Sequence, residues 1–206
     1  MKAFHDFQFT DRLVESQIQF EHHIVEDAGK VYKAAHYDHG NGIAVADVDG
    51  DGLPDIYFTT QLGTNQLWRN LGHGRFEDIT ERAGVGLPDQ VVVSASFADI
   101  DNDGDPDLYV ATVRHGNHLF ENLGGGRFRD ITVQAGLSYV GHSSAAVFFD
   151  FNKDGLLDLF LVNVEAVHDR RARARRVLPG AGGRVFRTHV SGADRIQHSL
   201  SEPGRQ

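Results

Sequence analysis

The chain of 206 residues contains no cysteine, so disulfides and thiolate metal sites are both excluded, and thiols give no clue to its redox compartment. It has no apolar run near the roughly 18 residues that a membrane-spanning helix requires, which predicts no membrane span. The opening Met1-Lys-Ala-Phe-His5 lacks the apolar centre of a signal peptide, so any leader is expected to be missing or removed. Positive charge is scarce over most of the length. Residues 1–164 carry 25 acidic against 11 basic side chains, and the balance then reverses to 9 basic against 4 acidic over residues 165–206. Hydrophobic content of 40% and charged content of 24% are those of an ordinary soluble globular chain, long enough for one sizeable core. Glycine, by contrast, is abundant. Its 23 positions fit many short strands joined by tight turns.

The acidic residues are concentrated in one pattern that occurs three times. Asp47-Val-Asp-Gly-Asp-Gly-Leu-Pro-Asp55 returns as Asp99-Ile-Asp-Asn-Asp-Gly-Asp-Pro-Asp107 and again as Asp150-Phe-Asn-Lys-Asp-Gly-Leu-Leu-Asp158. Carboxylates this dense repel one another unless a cation sits among them, and hard oxygen donors of this kind suit Ca2+. The expected side-chain ligands are positions one, three, five and nine. These are Asp47, Asp49, Asp51 and Asp55 in the first copy, Asp99, Asp101, Asp103 and Asp107 in the second, and Asp150, Asn152, Asp154 and Asp158 in the third. Position seven (Leu53, Asp105, Leu156) is expected to offer its backbone carbonyl. Position six is Gly52, Gly104 or Gly155, where a chain wrapping an ion must turn sharply. An EF-hand is excluded, because it needs a glutamate at position twelve and a helix after the loop. Position twelve here is Phe58, Val110 or Leu161, inside strand-like runs.

The surrounding text repeats as well. Asp47 to Asp99, Asn70 to Asn122 and Phe76 to Phe128 are each separated by 52 residues, and Asp99 to Asp150 by 51. Each unit reads as four strands. One enters the acidic loop (Ile43–Ala46; Ala95–Ala98; Ala145–Phe149) and one leaves it (from Ile56, Leu108 and Leu159). The third is Gln66–Asn70 or His118–Asn122, and the fourth, after a glycine turn, is Phe76–Thr80 or Phe128–Thr132. Four antiparallel strands in about 50 residues describe one propeller blade. The predicted fold is therefore all-β, a partial β-propeller of about two and a half blades: residues 41–91, 92–142 and a partial 143–164, preceded by a lead-in over 1–40. Unpaired sheet edges at both ends predict self-association.

The repeat resembles the FG-GAP/VCBS family, the calcium-loop blades of integrin α-type propellers, and more closely the ASPIC/UnbV-associated family related to cartilage acidic protein. The residues that carry the resemblance are Ala46–Tyr57, Asn65–Gly72 and Gly74–Gly84, with their second copy at Asp99–Tyr109, Asn117–Gly124 and Gly126–Gly136. Ile18-Gln-Phe-Glu-His-His23 is similar to the lead-in such proteins place before their first blade. The resemblance implies a propeller with Ca2+ in its loops, an extracellular, periplasmic or cell-surface setting, and binding or adhesion to a protein or carbohydrate in place of catalysis. The chain departs from the family in having two full units and a half where about seven blades are usual.

Two other chemistries find less support in the residues. His22, His23, His36 and His39 match no zinc spacing and read as loop histidines. A calcium-dependent polysaccharide lyase or hydrolase would need an acid and base from His39, His73, His115, His142, Glu77 or Glu121, none of which recurs in register. Exposed binding loops are expected at Gln61–Asn65, Val85–Val91 and Arg114–Asn117.

After Val164 the repeat stops, and the basic stretch Arg170–Arg176 follows. Residues 165–206 read as an irregular basic tail, for which a nucleic-acid arm and a disordered tail are two explanations. A third is preferred. Shifting His189–Gly204 by one base permits Met-Tyr-Pro-Glu-Arg-Thr-Glu-Tyr-Ser-Ile-Leu-Tyr-Arg-Asn-Leu-Gly, which restores the Leu-aromatic-Arg-Asn-Leu-Gly seen at Leu67–Gly72. On that reading a frameshift after about Val164 interrupts the third blade, nucleic acid is not a partner, and resequencing the gene decides the matter.

Overall fold

Runs of β-branched and aromatic residues flank each acidic loop, and in the computed structural model they pair across it as antiparallel hairpins. The structure describes residues 9–25 and 42–164, together with the backbone of Val185–Val190. A single helical turn, α1 (Leu13–Ser16), lies in the lead-in. The first blade is β1 (Ile43–Ala46), β2 (Asp55–Phe58), β3 (Gln66–Asn70) and β4 (Phe76–Asp78), followed by the short helix α2 (Thr80–Ala83). The second is β5 (Val91–Ala98), β6 (Asp107–Val113), β7 (His118–Asn122) and β8 (Phe128–Asp130). Each of these sheets is four-stranded, antiparallel and in sequence order. The third sheet comprises β9 (Ser143–Phe149), β10 (Asp158–Val164) and β11 (Val185–Val190). The fold is all-β, a partial propeller without ring closure.

Blades stack through their first strands, with β1 beside β5 and β5 beside β9. The middle blade is consequently sandwiched, which explains why its second strand is apolar without alternation. Every residue of β6 is buried. Leu108 and Val110 join Ala44, Tyr57, Leu67 and Ile79 between blades one and two. Tyr109, Ala111 and Val113 join Ala146, Leu159 and Leu161 between blades two and three. Period-two side-chain alternation thus feeds two cores from one strand.

Three details differ from the sequence expectation. The fourth strand ends two residues early in both full blades, because Asp78 and Asp130 each accept the backbone N–H and hydroxyl of the threonine two positions on. That local turn outcompetes the ladder. The hydroxyls of Thr80 and Thr132 then take the N–H of Leu67 and Leu119. Secondly, β11 lies in the stretch read as an irregular tail and runs parallel to β10. A parallel neighbour cannot be a hairpin partner and needs a long connection, which residues 165–184 are long enough to supply. Those residues, the remaining tail at 191–206 and most of the lead-in, including His36 and His39, lie outside the described residues. Thirdly, the linkers are only partly exposed. Gln61, Asn65, Val85 and Asn117 are buried, leaving the stretches 62–64, 88–89 and 114–115 exposed.

Candidate metal centre

Each acidic loop is held by its own first and ninth residues. The carboxylate of Asp47 accepts the N–H groups of Gly50 (2.9 Å), Asp51 (3.1 Å) and Gly52 (2.8 Å). Asp99 takes those of Asp103 and Gly104, and Asp150 those of Asp154 and Gly155. Gly52, Gly104 and Gly155 have φ of 85°, 97° and 87°, the left-handed turn predicted for position six. Position four is left-handed too, and there Gly50, Asn102 and Lys153 occupy equivalent places.

The ninth-position aspartates close the loop from beneath. Asp55 and Asp107 are buried. The two oxygens of Asp55 accept the N–H of Val48 (2.9 Å) and Asn70 (2.7 Å); those of Asp107 accept Ile100 (3.0 Å) and Asn122 (2.7 Å). Each therefore ties the loop's entry to the third strand of its blade. The buried Asp158 takes the N–H of Phe151 in the same way.

In two loops the carboxylates converge. One oxygen each from Asp47, Asp49 and Asp55, and from Asp99, Asp101 and Asp107, lie within 4.8 Å of one another. Calcium–oxygen distances of about 2.3–2.6 Å place ligands on opposite sides of the ion at most about 5 Å apart, so both sets fit inside one coordination shell. Remaining lone pairs on the ninth-position oxygens leave room for such a bond. The fifth-position acids stand outside these sets. Asp51 and Asp103 use one oxygen to accept the N–H of Leu53 and Asp105. Leu53, Asp105 and Leu156 are half-buried at position seven. The third loop copies the backbone bonding, with Asp154 accepting the N–H of Leu156. Its third position is Asn152, which bonds Asp154, so an uncharged amide replaces one of the three converging carboxylates.

Burial, and after it crowded negative charge, shows in the acid strengths. Burial pushes the Asp107 carboxyl up to about 6, only partly offset by the two N–H groups and reinforced by Asp101 and Asp103. Burial raises Asp55 and Asp101 as well, with neighbouring carboxylates adding to the effect. In the first loop a protein cation is present. Arg69 Nε lies 2.5 Å from Asp49 Oδ2, and its Nη2 donates to Asp51 Oδ2 at 3.1 Å.

The repeats are also recognisable by comparison with known proteins. The profile described as FG-GAP-like repeat matches residues 47–110 and again residues 99–161. The chain belongs to the FG-GAP-like repeat family. Cartilage acidic protein 1 of Xenopus tropicalis is 31% identical over 131 residues, covering 62% of this chain and 20% of that protein. The proteins of the same name from Mus musculus and Homo sapiens are each 28% identical over 145 residues, covering 69% of the chain and 22% of theirs. The chain thus spans about a fifth of the length of these curated relatives.

Outside the loops of these FG-GAP-like repeats, the candidate acid–base residues among the described residues are engaged in separate local contacts. His22 lies edge-on to Phe20, its Nδ1 contacts the carbonyl of Thr59, and Phe20 stacks on Phe58. The lead-in histidine is thereby a packing residue against the first blade. His73 sits at a positive-φ turn, and Glu121 bonds Arg129. His115 contacts the carbonyl of Val113, and Arg114 Nε reaches His142 at 3.3 Å. One pair escaped the sequence reading. His118 Nδ1 meets Asp130 Oδ2 at 2.9 Å, its Nε2 meets Gln90 at 3.0 Å, and its ring stacks on Phe120. Burial works to raise the Asp130 pKa, but the Thr132 hydroxyl and His118 outweigh it and hold the carboxyl low. The cross-strand register of β7 and β8 is the signal that could have found it. Both ring nitrogens are engaged, so the pair fastens the β7–β8 hairpin. No helix among the described residues is long and apolar enough to cross a membrane.

Proposed function

We propose that the chain is a non-catalytic module whose blade hairpins are fastened by Ca2+ and which works outside the cell by binding a protein or carbohydrate partner. The observation that carries this reading is the convergence of three carboxylates at the same place in successive blades. A catalytic group is needed once, whereas a fastening is needed in every blade, and it is the acidic loop that repeats. Asp47, Asp49 and Asp55, and Asp99, Asp101 and Asp107, would hold the ion, which supplies charge neutralisation and a rigid hairpin. Calcium sites tuned for extracellular modules have Kd of about 10⁻⁴–10⁻³ M, and sites of that strength here would stand empty at cytosolic calcium. That supports a setting outside the cell, as does the tissue in the relatives' name.

The exposed stretches 62–64, 88–89 and 114–115 supply the partner-binding surface. The end faces supply self-association. Val48 is buried against blade two and Ile100 packs against the second core, but their counterpart Phe151 is exposed, as are Val147 and Phe149. Ile43 and Val45 are likewise exposed on the first blade. The test is thermal melting of the full chain in calcium and in chelator. Two sites at a hundredfold excess over Kd stabilise by about 5 kcal/mol, or roughly 10–20 °C. An unchanged melting point would overturn the reading.

A further inference from the structure

The first two loops share their course and most of their backbone hydrogen bonds, but they differ in charge at position seven, Leu53 against Asp105, and in the third-strand residue beside them. Arg69 on β3 stands across the ladder from Glu77, and the equivalent pair in the next blade is Glu121 opposite Arg129. The charge pair is retained with its signs exchanged. Consequently the third-strand residue beside the first loop is a cation, and the one beside the second is an anion. Arg69 turns to Asp49 and Asp51. Glu121 turns instead to Arg129, bonded by both Nε and Nη2, and lies near enough to Asp101 to repel it.

The Arg69 contact is not an ordinary fork. Its Nε is buried and has no aligned hydrogen-bond acceptor among the described residues, although Asp49 Oδ2 is 2.5 Å away. The guanidinium is held in the acid cluster by charge more than by directional bonding. Asp49 is one of the three converging acids, so a metal ion and Arg69 draw on the same carboxylate.

We propose that Arg69 is a built-in counter-cation that makes the first loop the weaker calcium site, so that calcium fills the second loop first. This rests on the reading of the loops as calcium sites. Exchanging a positive for a negative neighbour a few ångströms from a divalent ion shifts affinity on the order of tenfold even after solvent screening. Asn152 places the third loop below the second for the same electrostatic reason.

The test uses the ¹⁵N-labelled full chain, freed of metal and titrated with calcium chloride. The amides of Gly52 and Gly104, at position six, each report on their own loop. The expected result is a midpoint for Gly104 about tenfold lower in calcium than that for Gly52. Arg69→Gln should close the gap to about twofold, and Arg69→Lys should keep the order. Glu121→Gln, which leaves the first blade intact, should raise the Gly104 midpoint alone and guards against failure of the Arg69 variants to fold. Equal midpoints in the unsubstituted chain, Gly52 responding first, or an unchanged gap in Arg69→Gln would overturn the proposal. If neither amide moves at 10-millimolar-scale calcium, about a hundredfold over the tighter expected Kd, the calcium reading itself fails, and the proposal with it.

Discussion

Replacing Asp107 with asparagine separates the two jobs that its carboxylate does. Asp107 is 2% exposed, and its oxygens accept the N–H groups of Ile100 and Asn122 at 3.0 and 2.7 Å. An amide has one acceptor oxygen, so one of those backbone donors loses its partner, at a cost of about 1–3 kcal/mol. Against this, the substitution removes a charge that the metal-free loop tolerates badly. A carboxyl pushed up to about 6 carries a penalty of at most about 3 kcal/mol at neutral pH. In chelator the two effects cancel to within about 2 kcal/mol. In calcium the same substitution removes a ligand and with it about 3 kcal/mol of binding stabilisation at a hundredfold excess over Kd, added to the lost hydrogen bond. Urea unfolding of Asp107→Asn and the parent chain, each in calcium and in chelator, measures all four corners. The predicted result is a loss of about 4–6 kcal/mol in calcium and little change without it. Equal losses under both conditions would refute the argument, because Asp107 would then be a hydrogen-bond acceptor only.

The same raised carboxyl fixes a pH dependence. A folded-state pKa above the unfolded value near 3.9 gives stability that is complete at low pH and lost as pH rises through about 6. The metal-free chain should therefore gain melting temperature from pH 7 to pH 5, whereas the calcium-loaded chain should lose it as protons displace the ion; a metal-free optimum at pH 7 would contradict this. Asn122→Ala should cost about 2–4 kcal/mol in urea melts, since the buried amide bonds Val48 of the neighbouring blade, Pro106 and Gly124. Asn70, at the equivalent place in the first blade, bonds within its own blade among the described residues, so Asn70→Ala should cost about 1–2 kcal/mol less. Sedimentation of the full chain should show species heavier than 22.8 kDa, and Phe149→Asp combined with Phe151→Asp should return it to that mass.

The fold was legible because a blade is a local object. A 52-residue period, strand-forming runs and glycine turns specify the hairpins, and the acidic loops mark the same corner of each. What stayed hidden depends on neighbours brought together by the sheet. Asn65 and Asn117 look like linker residues, yet Asn65 takes the N–H of Thr60 and donates to Gly86, while Asn117 takes that of Thr112 and donates to Ser143. Such side chains replace ladder bonds inside the packed region, which composition alone does not reveal. The early end of β4 and β8 has the same origin in the Asp–Thr turns. Among the predicted ligands, converging positions one, three and nine followed from spacing in the first two loops. The diversion of Asp51 to Arg69 did not, because it depends on which strand residue faces the loop. β11 was unreadable for another reason: its sequence continues no repeat, and only the free edge of β10 gives it a place.

The most direct measurement is a crystal of the full chain grown in saturating calcium, or in a lanthanide substitute, with anomalous density examined at the acidic loops. An ion coordinated by Asp47, Asp49 and Asp55, and a second by Asp99, Asp101 and Asp107, at about 2.3–2.6 Å, is the predicted result. Well-ordered loops without an ion, their carboxylates bonded only to backbone N–H groups and Arg69, would contradict it.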